Sequence, residues 1–229
     1  MTGKEFKLAR KARGWKQQDV AQRLGVSQTY VALLESGKRN FPPRLTGKAV
    51  TLLGMNPSAL PLDTHVSADA EYLTRQLSAL GYPGFAHVRP VRRKNPAEVL
   101  LAALGNDNLD ARVVEGLPWL LLQYGVMGEA CTGWMVEKAR LHGLTNRLGF
   151  TVTLAKQVAE RKGETTSDVY LALVRLEQEL NRTRLAVPDT FCQDHLSQRQ
   201  REWLLNARSE AAKHWNLLTN WQPEYLQYV

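Results

Sequence analysis

The chain has 229 residues, 44% of them hydrophobic and 23% charged, with a net charge of +8. That is an ordinary globular composition, long enough for one large domain or two modest ones. Two cysteines, Cys131 and Cys192, exclude a disulfide scaffold and a four-cysteine zinc site, and no run of about 18 apolar residues is present to span a membrane.

The charge is unevenly placed. Residues 1–55 hold eleven basic and three acidic side chains, a net of +8, so the remaining 174 residues are electrically balanced. Such asymmetry predicts a polyanion-binding module joined to a neutral body. Met1–Glu5 lacks the apolar core of a signal peptide, and with few thiols a cytoplasmic location is expected.

The first elements in chain order are short helices. Residues 17–37 read as two helices joined by a tight turn at Gly25, which supplies a positive φ. Ala21 is small where the second helix crosses, and Ser27 is placed to cap that helix. Val20, Leu24, Val26, Val31 and Leu34 form the shared apolar seam, and Gly37 ends the second helix. This is a helix-turn-helix pattern, whose second helix enters the DNA major groove.

Residues about 6–54 resemble the Cro/C1-type (XRE) helix-turn-helix family. Leu8–Trp15 is similar to its first helix, Gln17–Arg39 to its central pair, and Leu45–Leu53 to its closing helix ahead of Gly54. The resemblance implies a five-helix DNA-binding domain over residues 1–60. It also implies roles by position. Gln28 and Thr29, with Ala32 and Leu33 one turn on, are expected to meet base edges: Gln with adenine, the others with thymine methyls. Leu33 has a second reading, in which it packs inward. Lys16, Gln17, Lys38, Arg39 and Asn40 are expected to meet backbone phosphates. Lys16 stands where the family places a Ser or Thr cap, and a cation there opposes the helix dipole. A phosphate held jointly by Lys16 and the Gln17 amide is expected to offset this.

Residues 61–95 read as a linker, with a short helix from about Ser67 to Leu80 and an irregular basic stretch from Gly81 to Asn95. Its Arg89, Arg92, Arg93 and Lys94 have three readings: a solvated loop, an extra DNA contact or a surface for an acidic partner. Asn95-Pro96-Ala97-Glu98 is a good helix start, and Gly105 and Gly143 mark helix ends.

Residues 96–229 read as an all-α bundle for dimerisation, sensing or partner binding. Pro96–Gly105 and Asp110–Leu122 resemble a HEAT-like helix pair, without a second copy at a period of about 40 residues. Pro118 is expected to kink or restart its helix. Leu144, Leu148, Val152, Ala155 and Ala159 form one helical stripe, and Val169, Leu173, Leu176 and Leu180 another. Residues 150–154 have strand-like composition but lie inside the first stripe. Trp203, Trp215, Trp221, Tyr225 and Tyr228 either close the core or anchor an interface.

No zincin helix, phosphate-binding Gly loop or Gly-x-Ser-x-Gly elbow occurs, and His87, His142, His195 and His214 are scattered. Cys192 and His195 with a distant His214 make only a weak metal set, so no metal, cofactor or catalytic residue is expected. The sequence therefore predicts an all-α regulator, a homodimeric repressor on double-stranded DNA with an inverted repeat. An autoregulating antitoxin whose body binds a protein toxin is one form of it. A small-molecule-sensing repressor and, less favoured, an enzyme or toxin with a DNA-targeting module are the alternatives.

Overall fold

The computed structural model describes residues 1–62 and 69–228, which fall into two compact units, residues 1–62 and the remainder. The chain is all-α, with twelve α-helices among the described residues and one pair of two-residue strands.

Unit 1 contains α1 (Gly3–Ala12), α2 (Gln17–Leu24), α3 (Gln28–Glu35) and α4 (Pro43–Leu53), followed by a 3-10 turn at Pro57–Ala59. Each helix starts on a local signal. Thr2 Oγ1 accepts from the Glu5 amide while Glu5 accepts from the Thr2 amide, a reciprocal cap. Ser27 Oγ accepts from the Tyr30 amide, and Pro43 opens α4 with its fixed φ. Between α2 and α3, Gly25 adopts φ 74° and ψ 39°, a left-handed turn that costs a side-chain-bearing residue about 1 kcal/mol or more. Phe6, Val20, Ala21, Leu24, Val31, Ala49 and Leu53 form the core. The first helix begins at Gly3 and ends before Trp15. The expected fifth helix is a single 3-10 turn among the described residues, because Pro57 and Pro61 lie too close together for a longer one.

Unit 2 contains α5 (Ala70–Leu80), α6 (Pro96–Leu104), α7 (Ala111–Tyr124), α8 (Glu129–Leu141), α9 (Thr145–Arg161), α10 (Asp168–Asn181), α11 (Gln198–Ala207) and α12 (Glu210–His214). The start expected for α5 at Ser67 lies outside the described residues. The helix is capped by Asp69, whose carboxylate accepts from the Tyr72 amide. Residues 70–94, read as linker from the sequence, belong to this body: α5 packs on α6 and α7. Pro118 does not break α7. The turns on both sides of it are buried against α5, α6 and α9, which offsets the hydrogen bond that proline cannot donate.

Helix α9 is the axis of unit 2. Thirteen of its 17 residues are buried, and α6, α7, α8, α10 and α12 pack around it. A helix buried on nearly every side is a central element rather than a surface one. Most of its buried polar side chains are satisfied, the Thr145 hydroxyl being an exception. The Arg147 guanidinium donates to Asp189 at 2.7 and 2.9 Å, to the Leu104 carbonyl at 2.9 Å and to the Asn106 carbonyl at 3.1 Å. It thereby ties α9 to the end of α6 and to β1 (Asp189–Thr190), which pairs in parallel with β2 (Leu217–Leu218). Two-residue strands carry no alternation, so the sequence shows no sign of them.

Gly149 lies against the Trp215 ring, and a Cβ there would come within 2.3–2.5 Å of three ring carbons. The indole Nε1 donates to Thr153 Oγ1 at 2.8 Å, and that hydroxyl donates to Glu177 at 2.6 Å. Gly149→Ala is therefore expected to destabilise unit 2 by about 1–3 kcal/mol. Gly133→Ala, on α8 with open space around it, is expected to be neutral or to stabilise by about 0.5–1 kcal/mol. Differential scanning calorimetry of both variants checks this, and equal midpoints would show that the Trp215 contact is slack.

Candidate nucleic-acid interface

One buried cluster holds the helices of unit 1 together. The Arg10 guanidinium, in the last turn of α1, donates to Glu35 at 2.6 and 3.0 Å, and to the Trp15 carbonyl at 2.5 Å. The Gln17 amide, at the start of α2, donates to the same carboxylate at 2.9 Å. The side chains of Arg10 and Glu35 are only 8% and 3% exposed. Burial alone would raise the Glu35 carboxyl. Hydrogen bonds from Arg10 and Gln17, with the positive charges of Arg10 and Lys7, outweigh it and hold the group below its ordinary value.

The other two acids of the unit are also used internally. Glu5 caps Thr2, and Asp19 Oδ2 accepts from the Lys16 amide at 2.7 Å. Asp19 sits in the first turn of α2, so this carboxylate offsets the dipole end that Lys16 opposes. A bound phosphate is therefore not needed to stabilise that helix start. Ten of the eleven basic side chains of residues 1–55 are exposed, Arg10 being the exception, and none of the ten forms an ion pair among the described residues.

Gln28 and Thr29 are exposed at the first turn of α3, with no hydrogen-bond partner for either side chain among the described residues. Ala32 and Leu33 are half-buried, while Val31, Leu34 and Glu35 fill the opposite side. The helix thus presents Gln28 and Thr29 fully to solvent and the next turn only in part. Leu33 divides its surface between solvent and packing. Lys38, Arg39 and Asn40 follow the helix and are exposed. The Arg39 guanidinium lies 5.7 Å from the Tyr30 ring centroid, an orienting contact for a long side chain. Lys16 is exposed. Gln17 is half-buried, with one amide hydrogen committed to Glu35 and the other left to donate.

Beside the start of α3 runs a groove of about 480 Å³, lined by Val26, Ser27, Tyr30, Pro42, Leu45 and the cations Arg44 and Lys48. Arg44 and Lys48 were visible in the sequence only as part of the charge excess. Their spacing of four puts them on one face of α4, a signal that would have placed them here.

The other sequence candidates separate. In unit 2, Arg93 Nε donates to the Ala79 carbonyl at 2.7 Å, and Lys94 pairs with Glu98 at 3.4 Å. These two staple the loop, while Arg89 and Arg92 are exposed. Cys192, His195 and His214 do not converge. Burial pushes the Cys192 thiol up to about 12, the His195 ring meets Asn108, and His214 sits between Asn181 and Arg184. Of the C-terminal aromatics, Trp215 closes the core, Trp221 is half-buried, and Trp203, Tyr225 and Tyr228 are exposed.

A family model for a helix-turn-helix domain matches residues 3–61, about a quarter of the chain. Residues 3–61 thus form a helix-turn-helix domain. No curated protein and no solved structure matches the chain significantly. No helix among the described residues is long and apolar enough to cross a membrane.

Glu35→Gln removes the charge that Arg10 needs, and truncating one partner of a buried pair costs about 3 kcal/mol or more. That is a large part of the stability of a unit this small. Because the folded carboxyl lies below its ordinary value of 4.5, its contribution is complete above that value and is lost as pH falls through the folded one. Acid titration of unfolding is expected to show this loss in the native chain and not in Glu35→Gln.

Proposed function

We propose that the protein is a sequence-specific transcriptional regulator, a homodimeric repressor that binds an inverted repeat in double-stranded DNA. Two half-sites with centres roughly 34 Å apart suit recognition helices of this type. The observation that carries the reading is the allocation of charge in unit 1. The three carboxylates are engaged in caps and with Arg10, and none of the ten exposed cations is ion-paired among the described residues, which leaves them available around α3. Gln28 and Thr29 stand unpartnered at its exposed end. In this reading they read bases, while Lys16, Lys38, Arg39 and Asn40 fix register on the phosphates. Gln17 shares its amide: one N–H donates to Glu35 and the second is left to donate to a phosphate.

Unit 2 then supplies dimerisation and input, and no reaction is assigned to the chain. An antitoxin would offer this unit to a protein toxin, whereas an effector-sensing repressor would hold a small molecule in it. The mixed polar and aromatic cavity beside Glu115 supports the second form.

Selection of bound sequences from a random DNA pool, followed by band-shift titration, tests the reading. An inverted-repeat operator bound by two chains is expected. Gln28→Ala is expected to relax preference at one base pair by about 1–3 kcal/mol, and Arg39→Ala to weaken all sequences alike and lower the salt slope by about one. A single-chain complex on palindromic DNA would refute the dimer, and uniform losses for both variants would refute the division of roles.

A further inference from the structure

Unit 2 holds a cavity of about 400 Å³ between the first turns of α7 and the segment 220–228. Arg112 and Glu115 project into it from α7, Gln193 from the loop before α11, and Trp221, Tyr225 and Tyr228 from the C-terminal segment.

Glu115 is the residue that needs explaining. It is 6% exposed, yet no Lys, Arg or His lies within ion-pair distance of it among the described residues. A carboxylate taken out of water requires a cation or several donors. Glu115 receives one backbone N–H, from Gln227. The Tyr82 hydroxyl near it is buried and makes no hydrogen bond of normal geometry. Burial, then the negative charge of Glu115 and contact with its carboxylate, raises that phenol well above its ordinary value. Arg112, three residues earlier on the same face of α7, is exposed and has no side-chain partner among the described residues. The cavity therefore has a buried carboxylate without an ion pair among the described residues as its floor, a cationic rim and an aromatic wall.

We propose that this cavity binds a zwitterionic α-amino acid with an aromatic or large apolar side chain. The ammonium group pairs with Glu115 and faces the aromatic rings, which attract cations. The carboxylate takes the Arg112 guanidinium, which suits it bidentately. The side chain lies on Trp221, Tyr225 and Tyr228. The segment bearing these rings also carries the Gln227 N–H and meets α9 through the Arg161–Glu224 ion pair, so the ligand lies between α7 and this segment. Binding itself is independent of the DNA reading; the role of the ligand as a regulatory effector rests on it.

Calorimetric titration of the full chain without DNA tests the proposal. The amino-acid panel is L-phenylalanine, L-tryptophan and L-leucine, and the matched analogues are 2-phenylethylamine and 3-phenylpropanoate. Binding of at least one amino acid is expected, with the amine weaker by about tenfold and the acid without measurable affinity. Glu115→Gln is expected to weaken amino-acid binding about 30-fold or more. Its ligand-free melting midpoint should be unchanged or higher, because the amide keeps the Gln227 hydrogen bond and removes an unpaired charge. A lower midpoint with intact binding would mark Glu115 as structural and overturn its role. Arg112→Gln is expected to abolish the preference for amino acid over amine. The proposal falls if no amino acid of the panel binds, if the acid binds as well as the amine, or if the native chain binds amine and amino acid equally. Band-shift without ligand is scored separately, so loss of this site and loss of the DNA reading are distinguishable.

Discussion

The buried Arg10–Glu35 pair is the constraint on which unit 1 depends. It joins the last turn of α1 to the last turn of α3, and through Gln17 and the Trp15 carbonyl it also fixes the entry of α2. A buried ion pair adds little net stability over a well-packed apolar substitute. What it supplies here is placement: one carboxylate accepts three donors from two helices and holds the recognition helix by its C-terminal end. Its N-terminal end, with Gln28 and Thr29, is left projecting. The same pair withdraws an acid from the surface, Glu5 and Asp19 are engaged as caps, and none of the unit's ten exposed cations is ion-paired among the described residues. Architecture and electrostatics in this unit come from the same three carboxylates.

Unit 2 repeats the logic on a larger scale. Arg147 is buried inside α9 and meets two carbonyls and the Asp189 carboxylate, so the charge is compensated and the loops after α6 and α10 are pinned. Burial disfavours the Arg147 charge, and Asp189 and Asp107 more than offset it. Lys156 and Glu177 form a second compensated pair, at 2.5 Å. Against these, Glu115 stands out as a buried carboxylate with no ion pair among the described residues. The other buried charges among the described residues are matched, and that contrast is the observation behind the proposed site.

Much of the first unit was legible because its signals are local. Ser27 caps three residues ahead, Gly25 turns where a positive φ is required, and Val20, Leu24, Val31 and Leu34 repeat at helical spacing. In unit 2 the stripes ending at Ala159 and Leu180 were equally readable, and the strand-like run 150–154 lies within α9 because burial on all sides overrides β propensity. Residues 61–95 have the sequence look of a linker because a short helix followed by an irregular basic stretch resembles a connection. What makes residues 70–94 part of the body is the pairing of Arg93 and Gln76 with backbone across the loop. Pro118 likewise failed to break its helix because tertiary packing outweighed one missing donor.

The sequence by itself determined the helix-turn-helix, the helical character of the remainder and the concentration of positive charge in the first 55 residues. Those properties depend on residues within a turn or two of one another, or on composition alone. Only the tertiary structure decided which charges are neutralised and which remain available. The partners of Arg10, Arg147, Trp215 and Glu115 lie 25, 42, 62 and 112 residues away in the chain. Pairings over such separations are made by packing in space, and no spacing rule along the sequence encodes them.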